Sequence, residues 1–414
     1  MADAQGETAQ IIELPLARGF DFVEGFLDLT DGIAAPEVYR LWAAISCVAA
    51  AMERRVWIET SQGSMYPNLY VMLVGAPGVG KDRPMNYVEK IFDDVPSLRM
   101  APHSMTAASM LDDFDTVHRT VVREGKLVAE YHSMMVLANE FAVFCPGYEL
   151  DFLGRLNYIY DNPRRLRVTR KYLKKEVNIT HPQLNILAGA QPGLLATMLP
   201  EEAWSSGTMS RMIMIYAAQG PKVDIFGTRT ESVDLYAALR AKVTELSKLY
   251  GRMWWEKDAA RTLNDWHMSN GPPTPTHSKL TYYCNRRTTL HAPKLAMVSA
   301  ASRGNELRIT RIDVERAIAW LVQAESLMPD IFREMVGKSD GEVLRELHFF
   351  MWRIWQRDKK PIHESRLINF LKDRVPHEKI LRLIEIAERA NIISRGAGTT
   401  LYVPKPHTEH GLAE

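Results

Sequence analysis

The stretch "LYVMLVGAPGVGKDRPMNYVEKIF", residues 69–92, decides how the fold is interpreted. It opens with large apolar and β-branched residues without polar alternation, a pattern typical of a central parallel strand that is covered on both faces. A glycine-rich loop and then a helical pattern follow. From Gly75 to Lys81 the loop matches the phosphate-binding pattern G-x-x-x-x-G-K-[ST], but Asp82 stands where a hydroxyl residue is expected.

The chemistry of this loop predicts a nucleotide site. Glycines let backbone N–H groups approach phosphate oxygens, and the positive N-terminal end of the next helix faces the same anion. Lys81 would reach the β- and γ-phosphates of ATP. The predicted nucleotide-binding residues are Gly75, Ala76, Pro77, Gly78, Val79, Gly80, Lys81 and Asp82. The alternative is a tight strand-to-helix turn without a ligand.

A second apolar run, "MMVLANE", ends in Asn139 and Glu140, where hydrolysis requires a residue for magnesium and a base for water. Asp82 adds a carboxylate to the loop and Asn139 removes one here, so the charge around Mg²⁺ is unchanged. We expect Asp82 to ligate Mg²⁺ directly or through water, Asn139 to bind a metal-bound water, and Glu140 to act as the base. The alternative is a degenerate site that hydrolyses ATP slowly.

Two further polar residues adjoin strand-like runs. Gln191 follows "LNILAGA" and is a candidate for sensing the γ-phosphate or positioning water, although a strand end at the surface has the same pattern. Arg211 directly precedes "MIMIYA"; a lone arginine is normally a solvated surface residue. In ring ATPases an arginine at this place reaches the nucleotide of a neighbouring subunit and stabilises the transferred phosphoryl group, which makes Arg211 a candidate for that role. The predicted catalytic residues are Lys81, Glu140, Gln191 and Arg211.

Composition is that of a globular protein with several folded parts. The chain has 414 residues, a net charge of +1 and 46% hydrophobic residues, so any surface that binds nucleic acid must be local. The three cysteines are far apart, which favours a reducing cytoplasm over a disulfide or zinc scaffold. The most apolar run, "LWAAISCVAAAM", is too short to span a bilayer and predicts a buried helix. We therefore expect a cytoplasmic protein without a membrane segment.

The order of these motifs resembles that of AAA+ ATPases, in particular the helicase-like, primase-helicase-like proteins of phages and other mobile elements. The resemblance rests on "YPNLYVMLVGAPGVGKD", "LNILAGAQPGLLATML" and "GTMSRMIMIYA". It implies an α/β P-loop core with a parallel sheet and flanking helices, a helical lid, a hexameric or similar ring, and translocation on DNA. Arg286, Arg287 and Lys294 are candidates for a second phosphate sensor in the lid.

The expected organisation has six parts. These are a disordered tail (1–20), an N-terminal helical segment (21–65), the AAA+ core (66–220), the lid (221–340), a winged helix-turn-helix (341–406) and a final tail (407–414). The winged helix is predicted from helical patterns that precede "IISRGAGTTLYVPKP", which reads as a two-stranded hairpin. Such a tail is similar to that of minichromosome-maintenance helicases.

A basic segment between the Glu140 and Gln191 strands predicts DNA contact. Its flanks "RLRVT" and "EVNIT" are expected to pair as a hairpin that tracks the phosphates of a single strand in a ring pore. The candidate DNA-binding residues are Arg164, Arg165, Arg167, Arg170, Lys171, Lys174 and Lys175. The alternatives are a solvated charged hairpin and one that pairs with an acidic surface of a neighbouring subunit.

Three functions remain open at the level of sequence. The first is an ATP-driven translocase or replicative helicase, with a primase or other replication proteins as further partners. The second is a helicase loader or origin-remodelling ATPase that does not unwind DNA. The third is a nucleotide-gated scaffold in which Asp82 and Asn139 have removed catalysis.

Overall fold

The computed structural model describes residues 19–102, 107–145, 150–170, 175–198, 207–304, 307–372, 377–396 and 398–405. The chain is a mixed α/β protein that divides into two compact units, Met1–Ile331 and Phe332–Glu414. The candidate residues of the loop and of its partner strands belong to the first unit, as do the candidates of the basic hairpin whose side chains are described.

A five-stranded sheet forms the centre of the first unit. Its strands are β3 (Tyr70–Val74), β4 (His118–Arg123), β5 (Lys126–Ala138), β8 (Pro182–Ala190) and β9 (Met212–Tyr216), and their order in the sheet is β4-β5-β8-β3-β9. Strands β5, β8, β3 and β9 run parallel, whereas β4 pairs antiparallel with β5. Every residue of β3, β8 and β9 is buried, which confirms the prediction of a central covered strand before the glycine loop.

Smaller sheets surround this core. β1 (Val56–Thr60) pairs with β2 (Gly63–Met65) and with β10 (Gly251–Arg252), and β11 (Trp254–Trp255) pairs with β12 (Arg308–Ile309). A separate hairpin joins β6 (Arg165–Arg170) to β7 (Lys175–Thr180). The segment 21–65, named for its helices, ends in β1 and β2. The strand-like pattern of "RRVWIET" is confirmed there, since Val56 and Ile58 are buried and β1 pairs with β10.

Helices cover the sheet and complete the first unit. In chain order they are α1 (Phe22–Leu29), α2 (Glu37–Met52), α3 (Asp82–Asp93), α4 (Ala107–Thr116), α5 (Phe141–Phe144), α6 (Leu150–Tyr160), α7 (Pro192–Met198), α8 (Val233–Leu246), α9 (Lys257–Met268), α10 (Thr281–Arg286), α11 (Ala292–Ser302) and α12 (Arg311–Asp358). Most of α2 is buried, as its apolar sequence predicts. The hydroxyl of Tyr39 in α2 donates to the carbonyl of Val74 at 2.6 Å, which fixes this helix beside the end of β3.

The second unit has its own core. The later part of α12 packs with α13 (Glu364–Leu371), α14 (His377–Arg389) and a sheet of β13 (Ile362–His363), β15 (Leu401–Pro404) and β14 (Ile393–Arg395). Two details differ from the sequence prediction. The helix expected to start near residue 341 continues α12, and the two-stranded hairpin gains a third strand, β13, through pairing of Ile362 with Tyr402.

The unit boundary at 331/332 falls within α12, before the expected boundary at 340/341. Among the described residues no helix is long and apolar enough to cross a membrane.

Candidate nucleotide site and basic hairpin

The glycine loop lies between the end of β3 and the start of α3. Gly78 and Gly80 have φ angles of 80° and 91°, which L-residues rarely adopt. A Cβ atom on Gly80 would collide with the carbonyl oxygen of Ala34, and one on Gly75 would lie 2.5 Å from the Tyr39 hydroxyl. The loop therefore requires glycine for its backbone conformation at two positions and for close packing at two.

The side chain of Lys81 is buried against this loop. The residue is 8% exposed, and its Nζ donates to the carbonyl of Gly75 at 2.8 Å and to that of Ala76 at 3.1 Å. Burial lowers the pKa of Lys81, and the carboxylates of Glu140 and Asp82 partly oppose that shift. The ammonium group therefore lies at the loop, with two carboxylates in its electrostatic environment.

The ends of β5 and β8 bring Glu140 and Gln191 together. These strands are parallel neighbours, so their carboxyl ends meet at one edge of the sheet. Gln191 Nε2 donates to Glu140 Oε1 at 2.9 Å. Oε2 of Glu140 is buried and makes no hydrogen bond within the described part of the chain. One carboxylate oxygen is therefore fixed by an amide, and the other is left to accept from a ligand or water.

Gly189 joins this pair to Lys81. A Cβ atom on Gly189 would lie 3.6 Å from Lys81 Cε and would collide with the carbonyl oxygen of Asn139. Lys81, Asn139, Glu140 and Gln191 therefore occupy one edge of the sheet, as the sequence predicts for residues that follow parallel strands.

The two departures from the usual pattern, Asp82 and Asn139, are both exposed, and Asp82 is the first residue of α3. Across the described residues no group of three or more His, Cys, Asp or Glu side chains could hold a metal ion. The oxygen donors of Asp82 and Asn139 are too few for a metal site formed by protein ligands alone. It does fit Mg²⁺, which commonly takes one or two protein oxygen ligands and completes its shell with water and substrate phosphates.

Arg211 forms a bidentate ion pair inside its own chain. It precedes β9, and its Nε and Nη2 donate to the two carboxylate oxygens of Asp161 at 3.0 and 2.6 Å. Nη1 also donates to the carbonyl of Gly207 at 2.9 Å, and the side chain is 11% exposed. The sequence placed Arg211 correctly before a strand, but it gave no sign of the partner Asp161, which follows α6.

The three candidates for a lid sensor differ in exposure. Arg287 is fully buried and pairs with Glu325, whereas Lys294 is 1% exposed and donates to the carbonyl and side-chain oxygens of Asn68 at 3.0 and 2.9 Å. Burial lowers the pKa of Lys294. Arg287 and Lys294 both form contacts inside the protein. Arg286 is exposed and is therefore the candidate sensor whose side chain is accessible to a ligand.

The basic hairpin has the predicted pairing, from Arg165 opposite Thr180 to Arg170 opposite Lys175. Arg164, Arg165 and Arg167 are exposed and line a cavity of about 730 Å³. Of the remaining candidates, Lys171 and Lys174 lie outside the described residues, and the side chains of Arg170 and Lys175 are likewise not described.

Two residues of this cavity were missed at the level of sequence. Tyr158 is half-exposed, and its hydroxyl donates to the carbonyl of Arg165 at 3.0 Å; the other missed residue is His181. Tyr158 lies on α6 and His181 between β7 and β8, so neither belongs to the charged run that signalled the hairpin. No local sequence pattern identifies them.

The base of the hairpin is held by a buried arginine that was also missed. Arg54 donates to the carbonyls of Asn162 and Pro182, both at 2.8 Å, and these residues flank the hairpin on its two sides. Asn162 in turn donates to the side-chain oxygen of Asn68 at 2.9 Å. Arg54 therefore links the two ends of the hairpin at its base.

No protein-family model matches the chain, and no curated protein matches it significantly.

Proposed function

We propose that this chain is a magnesium-dependent AAA+ ATPase that works as a ring-shaped, ATP-driven DNA translocase or replicative helicase of a phage or mobile element. The observation that carries the ATPase part is the meeting of Lys81, Glu140 and Gln191 at one sheet edge beside the glycine loop. The glycine loop is the most specific indication of a nucleotide site, and the other residues support this function because they lie next to the loop.

The loop geometry supports phosphate binding. With positive φ at Gly78 and Gly80, the backbone N–H groups and the start of α3 would face an incoming anion. A triphosphate would draw Lys81 Nζ from the carbonyls of Gly75 and Ala76 to the β- and γ-phosphate oxygens, because a charged acceptor forms the stronger hydrogen bond.

Hydrolysis would depend on the oriented carboxylate of Glu140. The amide of Gln191 holds one oxygen, and the buried second oxygen is free to accept a proton from the attacking water. Bound Mg²⁺ would neutralise charge on the phosphates. Asp82 would hold that ion directly or through water, and Asn139 would hydrogen-bond a water of its shell.

The DNA part of the proposal rests on the hairpin of β6 and β7. Arg164, Arg165 and Arg167 are exposed and form no ion pair with another described side chain, so they are available to phosphates. In a ring, a hairpin of this kind would follow one strand of DNA through the pore. The helices and three-stranded sheet of the second unit support the proposal of a winged helix, which would add a DNA- or protein-binding surface.

One observation favours the alternative of a nucleotide-gated scaffold. Arg211, the residue proposed to act on a neighbouring subunit's nucleotide, is held by Asp161 of its own chain. In the scaffold alternative this pair persists and hydrolysis stays slow. In the translocase, Arg211 exchanges Asp161 for phosphate when the ring closes around ATP.

The replacement Asp161→Asn separates these alternatives. The ion pair is partly exposed and contributes about 1 kcal/mol, so its loss would raise the fraction of available Arg211 about fivefold. For the translocase we expect a rise in ATP turnover of up to this factor and a loss of turnover in Arg211→Gln. Equally slow turnover in all three proteins favours the scaffold.

The proposed function is tested by measuring magnesium-dependent ATP hydrolysis with Glu140→Gln and the matched surface variant Glu124→Gln. Loss of the base lowers turnover by about 10²-fold or more and leaves ATP binding nearly unchanged. Glu124 is exposed on the turn between β4 and β5, so its variant should behave as wild type. Forked-duplex unwinding then separates a helicase from a loader or remodeller. Absence of ATP turnover in the wild-type chain, with and without DNA, would overturn the motor.

A further inference from the structure

Two neighbouring cavities of the first unit share one residue, His181. The cavity of about 730 Å³ is lined by Arg164, Arg165 and Arg167 and is called the basic half below. The other, of about 400 Å³, is lined by Trp57, Tyr66, Tyr131 and Tyr250 among others and is called the aromatic half. Because His181 lines both, the two halves adjoin at this residue, and together they are called the cleft below.

The aromatic half contains partly exposed rings with arginines beside them. Trp57 and Tyr250 meet edge to face with centroids 5.6 Å apart, and both are partly exposed. The guanidinium of Arg54 lies 4.5 Å above the ring of Tyr66, and that of Arg123 lies 5.0 Å from the ring of Tyr250. Partly exposed rings backed by arginines suit the flat face of a nucleobase, which stacks on aromatic and guanidinium planes.

Carboxylates distinguish the aromatic half from the basic half. Glu59 and Glu130 line the aromatic half, where they would repel a phosphate. The same oxygens can accept hydrogen bonds from the N–H and amino groups of a base. Phosphates are therefore favoured at the arginines, and a base is favoured among the rings.

His181 fixes the junction of the two halves. Its φ angle of 44° is rare for a residue with a side chain. Two contacts hold it there: its backbone N–H donates to the carbonyl of Arg164 at 2.9 Å, and its Nδ1 lies 2.8 Å from the carbonyl of Glu130. The first contact comes from the hairpin of the basic half, and the second comes from the strand beside the aromatic half. His181 therefore links a residue of one half to a residue of the other.

We propose that this cleft binds an unpaired nucleotide of single-stranded nucleic acid, with backbone phosphates on the basic half and the base in the aromatic half. The inference rests on the proposed function, since it extends the DNA contact of the β6–β7 hairpin. It adds that the chain recognises bases as well as phosphates. A duplex cannot occupy the cleft in this way because its bases are stacked and paired inside the helix.

The test compares two oligonucleotides of equal length and charge, oligo-dT and a fully abasic deoxyribose-phosphate strand, both fluorescently labelled, by anisotropy with the full chain. We expect the wild type to bind oligo-dT about tenfold more tightly than the abasic strand, in line with the stacking of one base. In Tyr250→Leu this difference disappears and the abasic affinity stays unchanged. Tyr250→Phe keeps the ring and retains the difference.

The control is Tyr282→Leu, which removes a half-exposed tyrosine that lines neither half of the cleft and leaves the preference for oligo-dT intact. Equal wild-type affinities for the two strands would overturn the base pocket, and this result needs no variant to fold. Full discrimination in a folded Tyr250→Leu would overturn it as well. ATP turnover in the same samples reports on the proposed function separately, since turnover without base discrimination refutes only the cleft.

Discussion

At the scale of single residues, Gly78 and Gly80 occupy the same loop with similar backbone angles but different surroundings. Both have positive φ, whereas only Gly80 faces the carbonyl of Ala34; nothing lies within 4 Å of a Cβ placed on Gly78. Their comparison separates the conformational role of glycine from its packing role.

We predict that Gly78→Ala destabilises the chain by about 1–2 kcal/mol, the cost of a left-handed backbone for alanine. Gly80→Ala bears that cost and the collision with Ala34, so its loss of stability is larger and its ATP affinity falls too. Urea unfolding and ATP titration of the two variants check this. Equal effects would show that the approach of Ala34 to the loop is unimportant.

Some residues of the candidate site can be predicted from local sequence patterns, and others cannot. The loop and the Glu140–Gln191 neighbourhood follow from sequence because a local pattern marks each strand end and parallel strands share an edge. Asp161, Arg54 and His181 did not follow, because their roles come from contacts between segments far apart in the chain. Their sequence surroundings resemble those of ordinary surface residues.

At the scale of elements, a histidine at the start of α11 contacts the segment before β9. His291 is fully buried, and its Nε2 lies 2.9 Å from the carbonyl of Ser210, the residue before Arg211. Its Nδ1 has no hydrogen-bond partner within the described residues. The neutral form, with the proton on Nε2, therefore holds the segment that carries Arg211.

This arrangement predicts acid sensitivity. Burial lowers the pKa of His291 to about 3 from its ordinary 6.5. Below pH 6.5 His291 is protonated in the unfolded chain, whereas in the folded chain it stays neutral down to about pH 3. The free energy of unfolding therefore falls as the pH drops through this window. At pH 5 the loss is about 2 kcal/mol.

Urea unfolding at pH 7.5 and pH 5 measures this loss. His291→Gln keeps a donor for the Ser210 carbonyl and lacks the titrating ring, so its loss between the two pH values should be smaller by about 2 kcal/mol. Carboxylates titrate alike in both proteins and cancel in the comparison. An identical loss in variant and wild type would contradict the assignment.

The elements themselves were predicted best where one segment decides its own structure. β3, β8, β9 and α2 are apolar runs that can only be buried, and they were expected where they occur. The antiparallel direction of β4 and the third strand β13 depend on partners elsewhere in the chain, which local periodicity does not encode. The prediction divides α12 at 340/341, whereas the structure has one continuous helix from Arg311 to Asp358.

At the scale of the whole molecule, the net charge of +1 gives no general attraction for nucleic acid. Affinity must come from local surfaces, and the exposed arginines 164, 165 and 167 are the candidates that the structure describes. Counterion release then makes the binding of single-stranded DNA dependent on salt in proportion to the number of phosphates that they contact.

We predict that replacing these three arginines by glutamine lowers the slope of log affinity against log salt concentration by about 2, from roughly 0.7 for each lost phosphate contact. Anisotropy titrations from low to moderate salt measure the slope. Lys248, Lys257 and Arg261 are exposed cations outside the hairpin, and their triple glutamine variant has the same net charge. If both variants changed the slope equally, binding would depend on overall charge and the hairpin would have no special role.

The central claim is that the glycine loop binds a triphosphate beside Lys81, and isothermal titration of the wild-type chain and Lys81→Ala with ATP and Mg²⁺ tests it most directly. The account predicts saturable binding by the wild type and a loss of at least tenfold in affinity in the variant, with the fold retained by circular dichroism. Absence of nucleotide binding by the folded wild type, or equal affinity in the two proteins, would contradict it.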